Sequence, residues 1–383
     1  MIASISQGDV HAGRENSKRR LLSLDAFRGA VIIAMILANA PGDGYVRYGM
    51  LTHAVWNGWT FVDLIAPAFL WIIGLAMVFS FQRRMEEGTN LSRLSLHIFR
   101  RSLIIFLIGI VLNLCEIYQS PDKWSIIKYM GVLQRIGISY LFTAMLFIIA
   151  GIRGHVVWVI AGPLIYTLLI LFVPVPGAGT GVLEPVGNAA SYIDDLILGQ
   201  HGGLPHTLLS LFDSTTTMSF GVLVGYLLKI ETSLQKKTFW LLASGAGLIL
   251  LSELTNQWMP INRRLWTPSF VFLTAGISTI TFCALYWLVE IAGYRKWTKP
   301  LVVFGLNPII IIFFSELIRL LASKKGVVME DGSWLSLWDY AYRMLFMRIA
   351  DPANASLLFS MTCVLIFYVF SRVLYSRGWV IKI

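Results

Sequence analysis

Long apolar runs recur along this chain, and nothing constrains its fold more. "FVDLIAPAFLWIIGLAMVFSF" (61–81) and "LVVFGLNPIIIIFFSELI" (301–318) are two of them. A helix of about 18 or more apolar residues can cross the ~30 Å hydrocarbon core of a bilayer. In lipid the backbone must satisfy its own hydrogen bonds, so only helices and closed barrels span it. Continuous runs of this length select helices. The expected fold is an all-α, polytopic integral membrane protein of about ten transmembrane helices, near 22–40, 59–81, 102–117, 129–151, 155–173, 214–230, 238–256, 268–292, 300–321 and 355–374. The runs at 102–117 and 214–230 are short for a span, which tilt or interfacial turns would accommodate.

Charge supplies the orientation. Only 14% of the 383 residues are charged, against roughly 25% in soluble domains. Lys and Arg gather in the N-terminal tail, the 82–101 loop, Arg153, the 231–237 and 293–299 loops and the tail after 371, whereas 174–213 has none. Basic loops stay in the cytoplasm, which predicts both termini inside and 174–213 outside. The outer segments 257–267 and 322–353 do carry Lys or Arg, so the rule acts here as a majority. The net charge of +10 is divided among these loops and forms no nucleic-acid surface.

Residues 1–20 read as a cytoplasmic tail with no apolar signal region, leaving the first span as its own insertion signal. Residues 21–383 read as one transmembrane domain with structured outer loops near 174–213 and 322–353. "ASYIDDLILG" in the first has the spacing of a short amphipathic helix, and "SWLSLWDYAYRMLF" in the second that of an interfacial one. Cys115, Cys283 and Cys363 lie in apolar surroundings without CxxC spacing, so no zinc site or disulfide framework is expected. Nucleotide-loop and metal-helix motifs are missing from the sequence. So are internal repeats, which counts against a repeat-built transporter.

Polar groups at helix mouths carry the chemistry, because ionisable groups in or near a span are costly. In "SLDAFRGAVIIAMILANAPGDG" (23–44), Asp25 and Arg28 share a helix face at i, i+3. They form either an ion pair or, through Arg28, a phosphate contact. Asn39 lies eleven residues on, ~16 Å deeper at ~1.5 Å per residue. In "LTHAVWNGWTFVDLIAP", His53, Trp56 and Asn57 would share a face if the turn were helical, and Asp63 begins the next span. A histidine can take a proton near neutral pH. A carboxylate can fix its tautomer, and an asparagine amide can donate to an oxyanion. Those are the parts of acyl transfer. "GVLQRIGISYL" buries Gln134 and Arg135, with Asp63 and Glu116 as candidate partners for the arginine. "FGLNPIIIIFFSELIRL" sets Asn307 before a proline in mid-membrane.

"RRLLSLDAFRGAVIIAMILANAPGDG" and "LTHAVWNGWTFVDLIAPAFLWIIGLA", followed by "GVLQRIGISYL", "FGVLVGYLL" and "LWTPSFVFLTAG", resemble the heparan-α-glucosaminide N-acetyltransferase family. The likeness is to its bacterial branch among amino-sugar utilisation proteins. "HAVWNGWTFVDLIAP" is the specific block; "SLDAFRG" alone is shared with membrane O-acyltransferases. The resemblance implies acetyl transfer from cytosolic acetyl-CoA to the amine of a glucosamine-type sugar on the other side, in a multi-pass bacterial inner-membrane protein. It also implies a homodimer, as in the animal relatives. The family's catalytic histidine falls on His53 and its asparagine on Asn39, with Asp63 beside them. Arg28, Asp25, Arg101, Gln134 and Arg135 are the expected acetyl-CoA-binding residues. Trp56, Asn57, Trp266 and Asn307 are expected to hold the acceptor, and no metal is required.

Two mechanisms fit that reading: His53 as general base for direct attack by the amine, or His53 as nucleophile through an acetyl-imidazole. Direct transfer is the expected one, because one cavity can hold both substrates. An envelope-polysaccharide O-acyltransferase and an amino-sugar transporter are the alternative functions.

Overall fold

The computed structural model describes residues 21–117, 131–199, 208–329 and 332–379; the tail expected at 1–20 lies outside them. The chain runs α1 (Leu22–Asn39), a 3-10 turn (Gly49–Leu51), α2 (Phe61–Glu86), α3 (Leu91–Ile117), α4 (Val132–Phe172), α5 (Ala189–Leu198), α6 (Ser210–Lys229), α7 (Leu234–Asn256) and α8 (Pro268–Tyr286). There follow α9 (Lys299–Gly305), α10 (Pro308–Lys324), the antiparallel pair β1 (Gly326–Val328) and β2 (Trp334–Ser336), α11 (Leu337–Ala341) and α12 (Pro352–Ser376). Among the described residues, eight helices are long and apolar enough to cross a membrane, or nine if α9 and α10, bent by 68°, form one span.

The 41 residues of α4 would extend ~62 Å if straight, about twice a bilayer core. They fold back instead. Gly151, at φ 55° and ψ −148°, turns the chain through a left-handed conformation that costs glycine little. The rings of Phe142 and Trp158 consequently meet at 4.4 Å, where a straight helix would hold them ~24 Å apart. The runs expected at 129–151 and 155–173 are thus the two arms of a helical hairpin. By contrast, part of the loop expected at 82–101 is helix: α3 begins at Leu91. Its polar first turns carry Arg93, Arg100 and Arg101, whose long stems let a helix continue past the apolar core.

Packing brings the ends of the chain together. Arg28 Nη1, near the start of α1, donates to Gly305 O at 3.3 Å. Asn307 Nδ2 donates to Trp379 O, beyond α12, at 2.9 Å. At the opposite end, Ser360 Oγ of α12 donates to Ala40 O at 2.9 Å and Trp338 Nε1 to Pro41 O at 2.8 Å. Between the two ends, Phe27, Trp71 and Phe282 cluster, with Trp71 and Phe282 centroids 5.5 Å apart. Small residues let helices close in where lipid provides no hydrophobic drive: a Cβ on Gly221 would stand 2.0 Å from Trp71 O, and one on Gly74 1.9 Å from Met218 O.

A buried carboxylate beneath a loop histidine

The segment between α1 and α2 is tied down from both sides. Trp56 Nε1 donates to Leu183 O at 2.9 Å, and Gly58 N to Ile261 O at 2.8 Å. Asn262 Nδ2 donates to Asn57 Oδ1 at 3.1 Å. These residues are not helical, so His53, Trp56 and Asn57 do not share a helix face. The loop crosses over to pair with 261–262 instead, and Gly58, at φ 94°, makes the turn.

Asp63 is the hub. As the third residue of α2 it reaches back, so that Thr60 N donates to its Oδ2 at 2.9 Å, one half of a capping box. Ala54 N donates to the same oxygen at 3.1 Å. His53 Nδ1 meets Oδ1 at 2.6 Å, and Arg263 Nε lies 2.9 Å from Oδ1 as an ion pair. The Asp63 side chain is fully buried, while that of His53 is 45% exposed. All these partners are donors or cations, so the carboxylate form satisfies them. With Nδ1–H donated to Asp63, the imidazole keeps its lone pair on Nε2, which makes no hydrogen bond among the described residues. A half-exposed imidazole held in one tautomer over a buried carboxylate is equipped to accept a proton.

Sequence reasoning missed Arg263 as the cation of this hub. The signal was present: "NRR" puts two arginines on a segment that charge bias otherwise places outside. Burial pushes the Arg263 guanidinium below its usual range, and the Asp63 carboxylate opposes the shift. Asn262, 1% exposed, positions it by accepting Leu265 N at 2.9 Å and bonding Asn57.

Arg135 does not pair with Asp63 or Glu116. Its Nη2 donates to Ser210 Oγ at 2.6 Å, its guanidinium stacks 4.3 Å from the Trp266 ring, and the carboxylate in electrostatic reach is Asp194. Arg263 already occupies the place at Asp63, which explains the difference. Trp266 is 3% exposed with φ 60°, the one left-handed non-glycine residue among those described; such strain gathers at functional sites. Asn307 lies at the α9–α10 bend against Trp379, at the end of the bundle opposite Ala40 and the His53 loop. The structure therefore does not bring it together with His53, Trp56 and Asn57.

Asp25 and Arg28 form the ion pair their spacing predicts, at 3.2 Å, at the end away from His53. Arg101 lies over the Tyr140 ring at 4.9 Å. Asn39 and Gln134 line a cavity of about 260 Å³ and make no hydrogen bond with His53 among the described residues. No group of three or more His, Cys, Asp or Glu able to hold a metal ion occurs among the described residues.

A family model described as heparan-alpha-glucosaminide N-acetyltransferase, catalytic, matches residues 20–191. The heparan-alpha-glucosaminide N-acetyltransferase of Mus musculus is 27% identical over 365 residues, covering 80% of this chain and 55% of the relative. That of Homo sapiens is 28% identical over 351 residues, covering 76% and 52%. The chain spans about half the length of the curated relatives it matches. The matched region contains α1, the His53 loop and Asp63, and over it the chain is similar to the heparan-α-glucosaminide N-acetyltransferases.

Proposed function

We propose that the chain is a transmembrane N-acetyltransferase that moves acetyl from cytosolic acetyl-CoA to the amine of a glucosamine-type sugar at the outer side. The observation that carries this reading is the His53–Asp63 pair, 2.6 Å apart, with Nε2 left as a base at the end of the bundle where α1 ends. An ammonium has no lone pair with which to attack a thioester. His53 Nε2 would take the proton from the attacking nitrogen, and Asp63 would stabilise the resulting imidazolium. Asn39 would donate its amide to the developing oxyanion. The proton on Nε2 is then available to the departing thiolate.

The donor's path is supported by unmet hydrogen-bonding groups. Arg135 Nε and Nη1, Ser139 Oγ, Tyr140 OH and Thr143 Oγ1 are buried along the first arm of α4 without partners among the described residues, and Arg101 Nε joins them. Residues 135, 139 and 143 recur at i, i+4, i+8 and so share a face. Buried polar groups require partners, and the amide-bearing arm of acetyl-CoA threaded along this file would supply them. Arg28 and Arg101 would receive its phosphates. Ten spans, both termini cytoplasmic and a bacterial inner membrane complete the reading. The α4 hairpin and the α9–α10 pair, counted as one bent span, support the number of spans. The approach of the start of α1 and the end of α12 at one end of the bundle supports a shared side for the termini.

The test is purified protein with radiolabelled acetyl-CoA, with and without glucosamine, beside His53→Ala. Acetylated sugar from the wild type and none from the variant is the expected result. Label retained on wild-type protein without acceptor would replace the direct route by an acetyl-histidine. Saturable sugar binding with no turnover of any amine would overturn the enzyme in favour of a transporter.

A further inference from the structure

Arg263 stands beside the proposed base with donors left over. Its Nε and His53 Nδ1 lie 2.9 and 2.6 Å from one and the same oxygen, Asp63 Oδ1, so the two nitrogens are at most about 5.5 Å apart. Nε is buried and turned to Asp63. Nη1 and Nη2 make no hydrogen bond among the described residues and reach the exposed part of the side chain, 18% of it. Four of the five N–H donors of a permanent cation are therefore uncommitted next to the imidazole. The segment that carries them is closed by its own hydrogen bonds. Leu265 N and Thr267 N donate to Asn262 Oδ1 and O at 2.9 and 3.1 Å. Asn262 N donates to Thr267 Oγ1 at 3.1 Å, and Thr267 Oγ1 to Pro260 O at 2.8 Å. Gly58 N fastens the segment to the His53 loop through Ile261 O. Donors fixed in advance are what stabilises charge that develops only during reaction. Arg264, the next residue, is exposed, where water and salt screen its charge.

We propose that Arg263 is a catalytic residue whose Nη groups donate to the oxyanion of the tetrahedral intermediate. The proposal rests on reading the chain as an acetyltransferase, and it adds a charged donor to the amide of Asn39. Arg263 and the base share one anchor, Asp63, and the charges balance through the reaction. Before attack the hub holds one carboxylate, Asp63, and one guanidinium, Arg263, beside a neutral imidazole and a neutral thioester. Attack joins the amine nitrogen to the carbonyl carbon, moves the π pair onto oxygen and passes the N–H proton to His53 Nε2. Two cations, the imidazolium and Arg263, then meet two anions, Asp63 and the oxyanion. Without Arg263 the same step would leave one negative charge uncompensated beside the buried Asp63, which is costly. Collapse returns the pair to carbon and breaks the C–S bond, and the thiolate takes the proton from Nε2. Amine and thioester have become amide and thiol, and Arg263 is unchanged.

The experiment compares the wild type, Arg263→Met, Arg263→Lys and Asp63→Asn as whole proteins in detergent. It measures kcat and KM for acetyl transfer to glucosamine from about pH 6 to about pH 9. It also measures Kd for acetyl-CoA, the check on folding, and for a CoA analogue carrying a tetrahedral, anionic methylphosphonyl group in place of acetyl. Arg263→Met should lower kcat by about 100- to 1,000-fold, the effect of removing one oxyanion donor, with KM for acetyl-CoA within about threefold. The loss should persist at about pH 9, where an ordinary imidazole is neutral in any case. Kd for the tetrahedral analogue should rise by about 10-fold or more while that for acetyl-CoA stays. Asp63→Asn spoils the base but keeps the guanidinium, so it should hold the analogue as the wild type does. Arg263→Lys, a cation without the fork, should fall between, and it remains informative if the methionine variant fails to fold. Transfer by the wild type with kcat of Arg263→Met within about 10-fold of it, or recovered at about pH 9, would overturn the oxyanion role and leave the enzyme standing. A raised KM for glucosamine at unchanged kcat would make Arg263 an acceptor contact and overturn that role as well. No transfer by the wild type to any amine would instead overturn the reading on which the proposal rests.

Discussion

Replacing Asp63 by Asn isolates the central electrostatic claim. The amide matches the carboxylate in shape, so the Thr60 and Ala54 N–H groups, at 2.9 and 3.1 Å, can keep one oxygen acceptor. The other position then presents an NH₂ to both His53 Nδ1 and Arg263 Nε, which now lie 2.6 and 2.9 Å from Oδ1. His53 must turn Nδ1 into the acceptor, which places its proton on Nε2 and removes the base. The same tautomer change in a serine-protease triad lowers kcat by roughly 10,000-fold. Because the His53 side chain is 45% exposed, its ring can recover part of the productive state by rotating, so a loss of roughly 1,000- to 10,000-fold in kcat is expected here. Separately, Arg263 loses its counter-charge. Breaking a buried pair costs about 3–5 kcal/mol, and the partial exposure of Arg263 points to the lower end. The assay is acetyl transfer to glucosamine with KM for acetyl-CoA in parallel, plus thermal unfolding of D63N, R263M and the double variant. D63N should be inactive with near-normal KM for acetyl-CoA. R263M in the D63N background should restore stability without activity, since it removes the stranded cation and not the tautomer fault. A D63N enzyme within about threefold of wild-type kcat would refute the account.

Three further outcomes follow from the packing. Gly221→Ala would drive a methyl against Trp71 O, 2.0 Å away; a stability loss of about 1–3 kcal/mol is expected, read as a lower thermal midpoint in detergent. Asn262→Ala removes the side chain that ties Asn57 to Leu265; kcat should fall about 10-fold or more as Arg263 and the His53 loop lose position, with acetyl-CoA binding unchanged. Asp194 has a carboxyl that burial raises from 3.8 to about 6, against the Leu208 N–H and Arg135, which lower it, and with Asp195 adding to the rise. The unfolded chain releases this proton first, so stability should fall as pH rises from about 4 to about 6 and then level off. Asp194→Asn should flatten that part of the unfolding profile, and an unchanged profile would show that the carboxyl does not titrate there.

The one-dimensional pattern was sufficient for the membrane class and for the helices, because in lipid a long apolar run has few alternatives to a helix. It also offered the Asp25–Arg28 and His53–Asp63 contacts, beside a phosphate contact for Arg28 and a pairing of Asp63 with Arg135. The first is fixed by helix periodicity and the second by a ten-residue loop closing on the first turn of α2. Contacts across hundreds of residues were not legible. Arg263 reaches Asp63 only because the 257–267 segment pairs with the loop at Asn57 and Gly58. Asn307 lies away from the His53 loop because α12 brings Trp379 to the α9–α10 bend. Arg135 turns to Ser210 and Trp266 because the place beside Asp63 is already filled. The sequence by itself determined which residues could carry charge and proton transfer at the helix mouths. Only the tertiary structure decided which carboxylate meets which cation, since in a bundle that choice depends on how helices far apart in the chain pack together.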